Sequence, residues 1–147
     1  MFDNILVVCV GNICRSPAAE GALIKALAEA SKPGKKVHSA GISALVDKPA
    51  DKTSIELMET RGIDITNHKA RQLTRGLINE AELVLVMERR HLEDISKLAP
   101  HARGKTMLLG KWIGDKEIPD PYRQSRDAFE YAINLIDDCI AKWIKYL

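Results

Sequence analysis

The sequence has few of the features that mark specialised classes of protein. Three cysteines, two of them in one short loop, are too few for a disulfide framework. The 22 basic and 20 acidic side chains nearly cancel, so the net charge of +2 does not predict a nucleic-acid partner. No apolar run approaches the length of a membrane span, and we therefore expect no membrane insertion.

Other signals are missing from the chain as a whole. The first apolar run follows Met1-Phe2-Asp3-Asn4 directly, without the basic start or cleavage site of a signal peptide. No Gly-x-Gly-x-x-Gly follows that run, which argues against dinucleotide binding. No linker, repeat or low-complexity segment divides residues 1–147, so we expect a single domain. Reactive thiols and the missing leader together predict a cytoplasmic protein.

What the sequence does contain is a strand that runs into an anion-binding loop. The apolar, β-branched run that begins at Ile5 is typical of a buried parallel strand. Gly11 and Asn12 turn the chain, and Ser16 and Pro17 are predicted to be the N-cap and first residue of a helix. Free backbone N–H groups and the positive end of the helix dipole meet in such a loop, where they bind anions.

Cys9 and Arg15 stand at the two ends of this loop in the pattern Cys-x5-Arg. Arg15 can donate two charge-assisted hydrogen bonds to the oxygens of a tetrahedral anion. The same positive field favours the thiolate of Cys9, a nucleophile placed beneath a bound phosphate. The alternative is a buried structural cysteine with a surface arginine nearby. The strand before the loop and the helix start after it favour the catalytic interpretation.

Hydrophobic periodicity predicts strands that alternate with helices. After the first strand, we predict strands at 37–41, 83–87 and 105–109, and helices at 17–30, 51–61, 74–81 and 88–98. Ser125 is predicted to cap a final helix whose apolar stripe runs from Phe129 to Leu147, with Cys139 in the core. This order predicts an α/β doubly wound fold: a four-stranded parallel sheet with helices on both faces.

The loop resembles the signature of the low-molecular-weight protein tyrosine phosphatases over Cys9-Val10-Gly11-Asn12-Ile13-Cys14-Arg15-Ser16-Pro17. The resemblance continues at Ser39-Ala40-Gly41, His68-Lys69-Ala70-Arg71-Gln72 and Asp120-Pro121-Tyr122, and covers essentially the whole chain. It implies the strand order 2-1-3-4. It also implies hydrolysis of protein phosphotyrosine monoesters through a cysteinyl-phosphate, with no metal or organic cofactor.

The resemblance implies a role for each matching residue. Cys9 would be the nucleophile, Arg15 would hold the phosphoryl oxygens, and Asp120 would be the general acid that protonates the leaving phenolate. The residues implied to bind substrate are Val10, Gly11, Asn12, Ile13, Cys14, Ser16, Leu45 and Tyr122. Ser39 and His68 would support the loop, with His68 bonded to Asn12.

Some side chains have two interpretations. Cys14 is either a small buried side chain or a thiol that traps oxidised Cys9 in a reversible disulfide. Arg123 and Arg126, with Lys48, either attract an acidic or multiply phosphorylated tail or belong to a solvated face. An isolated Asp-Pro is usually a turn, so the general-acid role depends on the resemblance.

The likeness also points to a partner. Many relatives have an aromatic residue where this chain has Leu45, and an aliphatic residue there resembles the bacterial members paired with tyrosine autokinases of capsule and exopolysaccharide export. The implied partner is such an autokinase, bound by a monomer. Two rival functions are arsenate reduction, which needs relay cysteines, and non-catalytic phosphotyrosine binding, which loss of Cys9 or Asp120 would have favoured.

Overall fold

The computed structural model describes residues 2–147 and contains the parallel sheet expected from the sequence. Its four strands are β1 (Asn4–Cys9), β2 (Lys36–Gly41), β3 (Leu83–Val86) and β4 (Thr106–Leu108). All pair in parallel in the order β2-β1-β3-β4, which confirms the predicted topology. In this register Cys9 lies opposite Gly41, and Val8 lies opposite Val86.

Helices cover both faces of the sheet. On one face lie α1 (Arg15–Glu29), α2 (Lys52–Glu59) and α5 (Arg126–Trp143). On the other lie α3 (Arg75–Glu80) and α4 (Arg89–Leu98). Short 3₁₀ helices at Pro100–Lys105 and Ile144–Tyr146 follow α4 and α5 and were not predicted. Within residues 2–147, no helix is both long enough and apolar enough to cross a bilayer.

The central strand is buried on both sides because its side chains alternate between two hydrophobic cores. Ile5 and Val7 belong to the core under α1 and α5, whereas Leu6 and Val8 belong to the core under α3 and α4. All four have no exposed surface. Since full burial of such a side chain contributes roughly 1.5–3 kcal/mol, the strand firmly sets the point at which Cys9 leaves the sheet.

Local capping signals place the starts of α2, α3 and α5 and the end of α2. Side-chain oxygens of Asp51, Thr74 and Ser125 accept hydrogen bonds from first-turn N–H groups of α2, α3 and α5. Gly62 follows α2 at a φ of 72°, the left-handed conformation that glycine commonly adopts just after a helix. The apolar stripe of α5 is buried from Phe129 to Trp143, and Cys139 lies in the core as predicted.

The predicted cap of α1 is wrong. The helix begins at Arg15, and Cys14 occupies the N-cap position without a side-chain hydrogen bond. Ser16 lies inside the first turn, where its hydroxyl accepts from Asn12 Nδ2 and lies 2.9 Å from Cys9 Sγ. The hydroxyl therefore turns back into the loop and is not available to cap the helix.

Candidate active site

The loop between β1 and α1 lies at the carboxyl ends of the strands, where parallel sheets open into a crevice. Cys9 is the last residue of β1 and Arg15 is the first of α1. A cavity of about 160 Å³ is lined by Cys9, Val10, Gly11, Ile13, Cys14, Arg15, Ser43, Leu45, Asp120 and Tyr122. The structure thus brings together most of the predicted site residues, from three separate parts of the chain.

The carbonyl oxygens of the loop point outward to donors in the surrounding chain. Those of Cys9, Val10, Gly11 and Ile13 accept from the backbone N–H groups of Ile42, Ser43, Leu45 and Asp51, respectively. The Asn12 carbonyl oxygen lies 2.6 Å from His68 Nε2. In a trans peptide the N–H points away from the C=O, so outward carbonyls turn the following N–H groups inward.

Asn12 braces the loop from within. It is fully buried, and its φ of 60° lies in the left-handed region that asparagine tolerates. Its Oδ1 accepts from the N–H of Arg71 at 2.9 Å, which settles the orientation of the amide. Asn12 Nδ2 therefore donates to Ser16 Oγ at 2.7 Å and to Ser39 Oγ at 3.0 Å. Both predicted support residues, Ser39 and His68, lie against this asparagine.

The direction of each hydroxyl follows from this network. Ser39 Oγ donates to Glu20 Oε1 at 2.6 Å, since a carboxylate can only accept. Ser16 Oγ already accepts from Asn12, so its own proton is free to point to Cys9 Sγ, 2.9 Å away. The arrangement can donate one hydrogen bond to a thiolate at Cys9. Glu20 is a participant that the sequence reasoning missed.

Arg15 is 2% exposed, and its charge is paired within the protein. Its Nη1 donates to Glu88 Oε2 at 2.6 Å and to the carbonyl oxygen of Ile118 at 2.8 Å. Burial opposes ionisation of Glu88, but the hydrogen bond and charge of Arg15 outweigh it and lower the pKa of this carboxyl. Because Nη1 is held in this way, the orientation of the guanidinium is set by the protein.

The sequence reasoning also missed Glu88, which is 73 residues from Arg15. The position of Glu88 in the sequence could nevertheless have identified it as a candidate site residue. Glu88 follows the buried strand β3 closely, and in a parallel sheet a charged residue just beyond a strand's carboxyl end lies near the crevice. Ile118 offered no such signal, since any residue type can supply a backbone carbonyl.

Asp120 comes from the long loop between β4 and α5 and lines the same cavity as Cys9. Its Oδ1 accepts from the N–H of Tyr122 at 3.0 Å, and its Oδ2 lies 3.6 Å from Arg15 Nη2. The carboxylate is 39% exposed, so it can exchange protons with solvent. Leu45 and Tyr122 are 40% and 36% exposed and form part of the rim.

The structure gives the positions of Cys14, Arg123 and Arg126, but their contacts do not identify a function. Cys14 is a buried free thiol, and burial raises its pKa. Arg126 is engaged in an ion pair with Glu56, at 2.9 Å. Arg123 lies over the ring of Tyr122, 5.1 Å from the ring centre, and so places a positive charge beside the rim.

The fold and the site define an α/β protein in which strand β1 ends at a cysteine, beside a loop whose backbone carbonyls point outward. The model of the family described as low molecular weight phosphotyrosine protein phosphatase matches residues 4–147. The chain therefore belongs to the low molecular weight protein-tyrosine-phosphatases, a family of enzymes.

Named relatives and solved structures agree with this placement. The low molecular weight protein-tyrosine-phosphatase Wzb of Escherichia coli strain K12 is 46% identical over 147 residues, which cover 100% of this chain and 97% of that protein. The structure of Vibrio vulnificus Wzb in complex with benzylphosphonate has a TM-score of 0.94 and 51% identity, with 100% of both chains covered. The YwlE arginine phosphatase of Geobacillus stearothermophilus has a TM-score of 0.88 and 29% identity, covering 99% of this chain and 92% of that one.

Proposed function

We propose that this enzyme hydrolyses protein phosphotyrosine monoesters through a cysteinyl-phosphate formed on Cys9. The observation that carries the proposal is the construction of the loop. The carbonyl oxygens from Cys9 to Ile13 are engaged on the outside, so the amides that follow them are left to face an anion beside the cysteine sulfur. Arg15 lines the same cavity and contributes a charge that is already oriented.

In the first step the Cys9 thiolate attacks phosphorus. The S–P bond forms as the bond from phosphorus to the phenolic oxygen breaks, and Asp120 gives its proton to the departing oxygen. Arg15 and the loop amides hold the equatorial oxygens, on which negative charge accumulates. These donors are in place before the reaction, so little reorganisation is needed in the transition state.

In the second step water attacks the phosphorus of the cysteinyl-phosphate. The Asp120 carboxylate takes a proton from that water, the S–P bond breaks, and inorganic phosphate is released. The electron pair of the broken bond returns to Cys9 as a thiolate. The Ser16 hydroxyl, 2.9 Å from the sulfur, stabilises this leaving group by donating a hydrogen bond.

The rim supports an aromatic substrate. Tyr122 and Leu45 stand beside the cavity and provide apolar surface for the ring that carries the phosphate. Vibrio vulnificus Wzb was solved with benzylphosphonate, an aromatic phosphonate, which supports the same substrate class here.

We further infer that the physiological substrate is a tyrosine autokinase of capsule or exopolysaccharide export. The similarity to Wzb over the full chain and the aliphatic Leu45 support this partner. Arg123 beside the rim would attract an acidic or phosphorylated tail. We propose that the enzyme acts in the cytoplasm as a monomer of one domain.

The proposal is tested by hydrolysis of p-nitrophenyl phosphate in the presence of a metal chelator. We expect turnover by the native protein, inhibition by vanadate, and no turnover by Cys9→Ser with its fold preserved. Cys139→Ala is the matched control, because this cysteine lies in the core of α5 and does not line the cavity. Turnover by folded Cys9→Ser would contradict the nucleophile assignment.

A second assay separates the proposed substrate from its rivals. Phosphotyrosine and phosphoarginine peptides of equal sequence should differ, with phosphotyrosine turned over faster. Faster hydrolysis of phosphoarginine would contradict the proposed substrate and favour arginine phosphatase activity, the activity named for YwlE. Arsenate reduction is disfavoured by the position of Cys139, which is buried in α5 and thus poorly placed to relay a disulfide.

A further inference from the structure

A buried histidine lies beside the ion pair of the candidate active site and has no role in the mechanism above. His91 stands in the first turn of α4 and has no exposed surface. Its Nδ1 accepts a hydrogen bond from the N–H of Glu88 at 3.2 Å. In a neutral imidazole one nitrogen accepts and the other carries the proton, so the proton lies on Nε2.

This Nε2–H group has no hydrogen-bond partner within the part of the chain that the structure describes. It lies 3.6 Å from Glu88 Oε2, the same oxygen that accepts from Arg15 Nη1 at 2.6 Å. A buried donor without a partner destabilises the folded protein. A shift of roughly half an ångström would bring the two atoms to hydrogen-bond distance.

The surroundings keep the imidazole neutral. Burial first, and then the charge of Arg15 on α1, lower the pKa of His91 to about 4. On α4, Arg90 acts in the same direction, while Glu88 and Asp94 oppose it. The ring is therefore a neutral hydrogen-bond donor at physiological pH, and it adds no positive charge beside Arg15.

The other cation on Glu88 is a weaker support. Arg90 Nε lies 3.2 Å from Glu88 Oε1, but its side chain is 64% exposed. A solvated, flexible arginine contributes little to fixing a carboxylate. On the buried side, Glu88 lies against Arg15 and the His91 ring, and its side chain also accepts from the backbone N–H of His91 in a capping box, a contact that substitution of the ring leaves in place.

We propose that His91 is a positioning residue for Arg15 that acts through Glu88. Its Nε2–H holds the carboxylate against Arg15 Nη1, and this in turn keeps the rest of the guanidinium directed at the phosphoryl oxygens of a substrate. The inference rests on the proposed function of Arg15 as the group that binds phosphate.

Two variants test the hydrogen bonds of the ring. His91→Leu fills much of the volume without the Nε2–H donor or the Nδ1 acceptor, whereas His91→Gln keeps both a donor and an acceptor. Since a hydrogen bond to a charged group contributes about 1.5–3 kcal/mol, or tenfold or more in a binding constant, we expect His91→Leu to weaken inhibition by inorganic phosphate and to lower kcat/KM about tenfold. His91→Gln should restore most of both. The exposed His101→Gln is the control.

Nuclear magnetic resonance of the imidazole nitrogens gives a readout that does not depend on turnover. We expect the Nε2–H tautomer of His91 between pH 5 and 8, and a change in its Nε2 resonance in Glu88→Gln. The Nδ1–H tautomer, or an Nε2 resonance indifferent to Glu88→Gln, would overturn the proposal. So would a folded His91→Leu protein with native phosphate inhibition.

These outcomes are separate from those for the proposed function. Activity of Cys9→Ser would remove the cysteinyl-phosphate mechanism, but it would not alter the effect of His91 variants on phosphate binding. Should His91→Leu not fold, the Glu88→Gln resonance test still decides the proposal.

Discussion

At the scale of single residues, the site is governed by how a buried charge is compensated. The guanidinium of Arg15 is buried, and a buried cation requires acceptors close by. Glu88 and the Ile118 carbonyl supply them on one side. Asp120 is farther from Arg15 and partly exposed, which leaves its carboxyl available for proton transfer.

Asp120→Ala should therefore affect substrates according to their leaving group. We expect a decrease in kcat/KM of about 10²–10³-fold for phenyl phosphate and a much smaller decrease for 2,4-dinitrophenyl phosphate, whose phenolate leaves without a proton. The measurement is the slope of log kcat/KM against leaving-group pKa over a series of aryl phosphates, because kcat/KM excludes the second step, in which Asp120 also acts. Asp127→Ala, in the first turn of α5, is the control. Equal losses across the series would contradict the general-acid role.

At the scale of elements, the loop of residues 10–14 depends on the end of β2. Gly41 closes that strand opposite Cys9. A Cβ atom at Gly41 would lie 2.5 Å from the carbonyl oxygen of Val10 and 3.0 Å from Asn12 Cβ. The first of these atoms belongs to the backbone, so it can move only if the loop moves. Close approach of two backbones is what requires glycine here.

Gly41→Ala should displace the loop and weaken its hold on phosphate. We expect an increase of about tenfold in the inhibition constant for inorganic phosphate, and a loss of about 1–3 kcal/mol in the free energy of unfolding through overpacking. Gly104→Ala is the matched control, because a Cβ there meets nothing within 4 Å. Native phosphate inhibition in Gly41→Ala would show that the loop does not need this close contact.

At the scale of the whole molecule, the strand order decides where the site lies. β1 is central, with β2 on one side and β3 on the other, so the chain leaves the sheet in opposite directions around it. Cys9 is the last residue of β1, Glu88 lies just beyond β3, and Asp120 lies in the loop that follows β4. Groups from distant parts of the chain therefore lie close together at the carboxyl ends of the strands.

The stability of the whole molecule should depend on two buried histidines. Burial and then neighbouring positive charge, from Arg71 and Arg15, lower the pKa values of His38 and His91 from 6.5 to about 4. Between these values the unfolded chain binds more protons, so stability rises with pH in this window and is lost as the pH falls from about 6.5 to about 4. Each histidine can contribute a slope of up to about 1.4 kcal/mol per pH unit.

Urea unfolding at intervals from pH 4 to pH 7 measures this slope. His38→Gln removes one titrating group, and the difference between its profile and that of the native protein isolates the contribution of His38. Parallel profiles for the two proteins would contradict a neutral, buried His38.

The sequence by itself determined the parts of this protein that depend on neighbouring residues. Apolar alternation, turn residues and caps act over a few positions, so most strands and helices were predicted with ends within two residues of those observed; the exception is the final helix, which ends at Trp143 and not at Leu147. The cysteine and arginine of one short loop could be paired for the same reason. The strand order and Asp120 needed a family resemblance, because periodicity does not say which strands are neighbours. The roles of Cys9, Arg15 and Asp120 stay predictions.

Only the tertiary structure decided the contacts that hold this loop and its arginine. Glu88 at the start of a helix looks like an ordinary surface residue until β3 places it against Arg15. The sequence around Ser16 predicts a helix cap, but in the structure the hydroxyl of Ser16 contacts Asn12 and Cys9 instead. Such partners are far apart in sequence or compete with a local alternative. Which one prevails depends on how strands and helices pack, and a sequence pattern of short range does not contain that information.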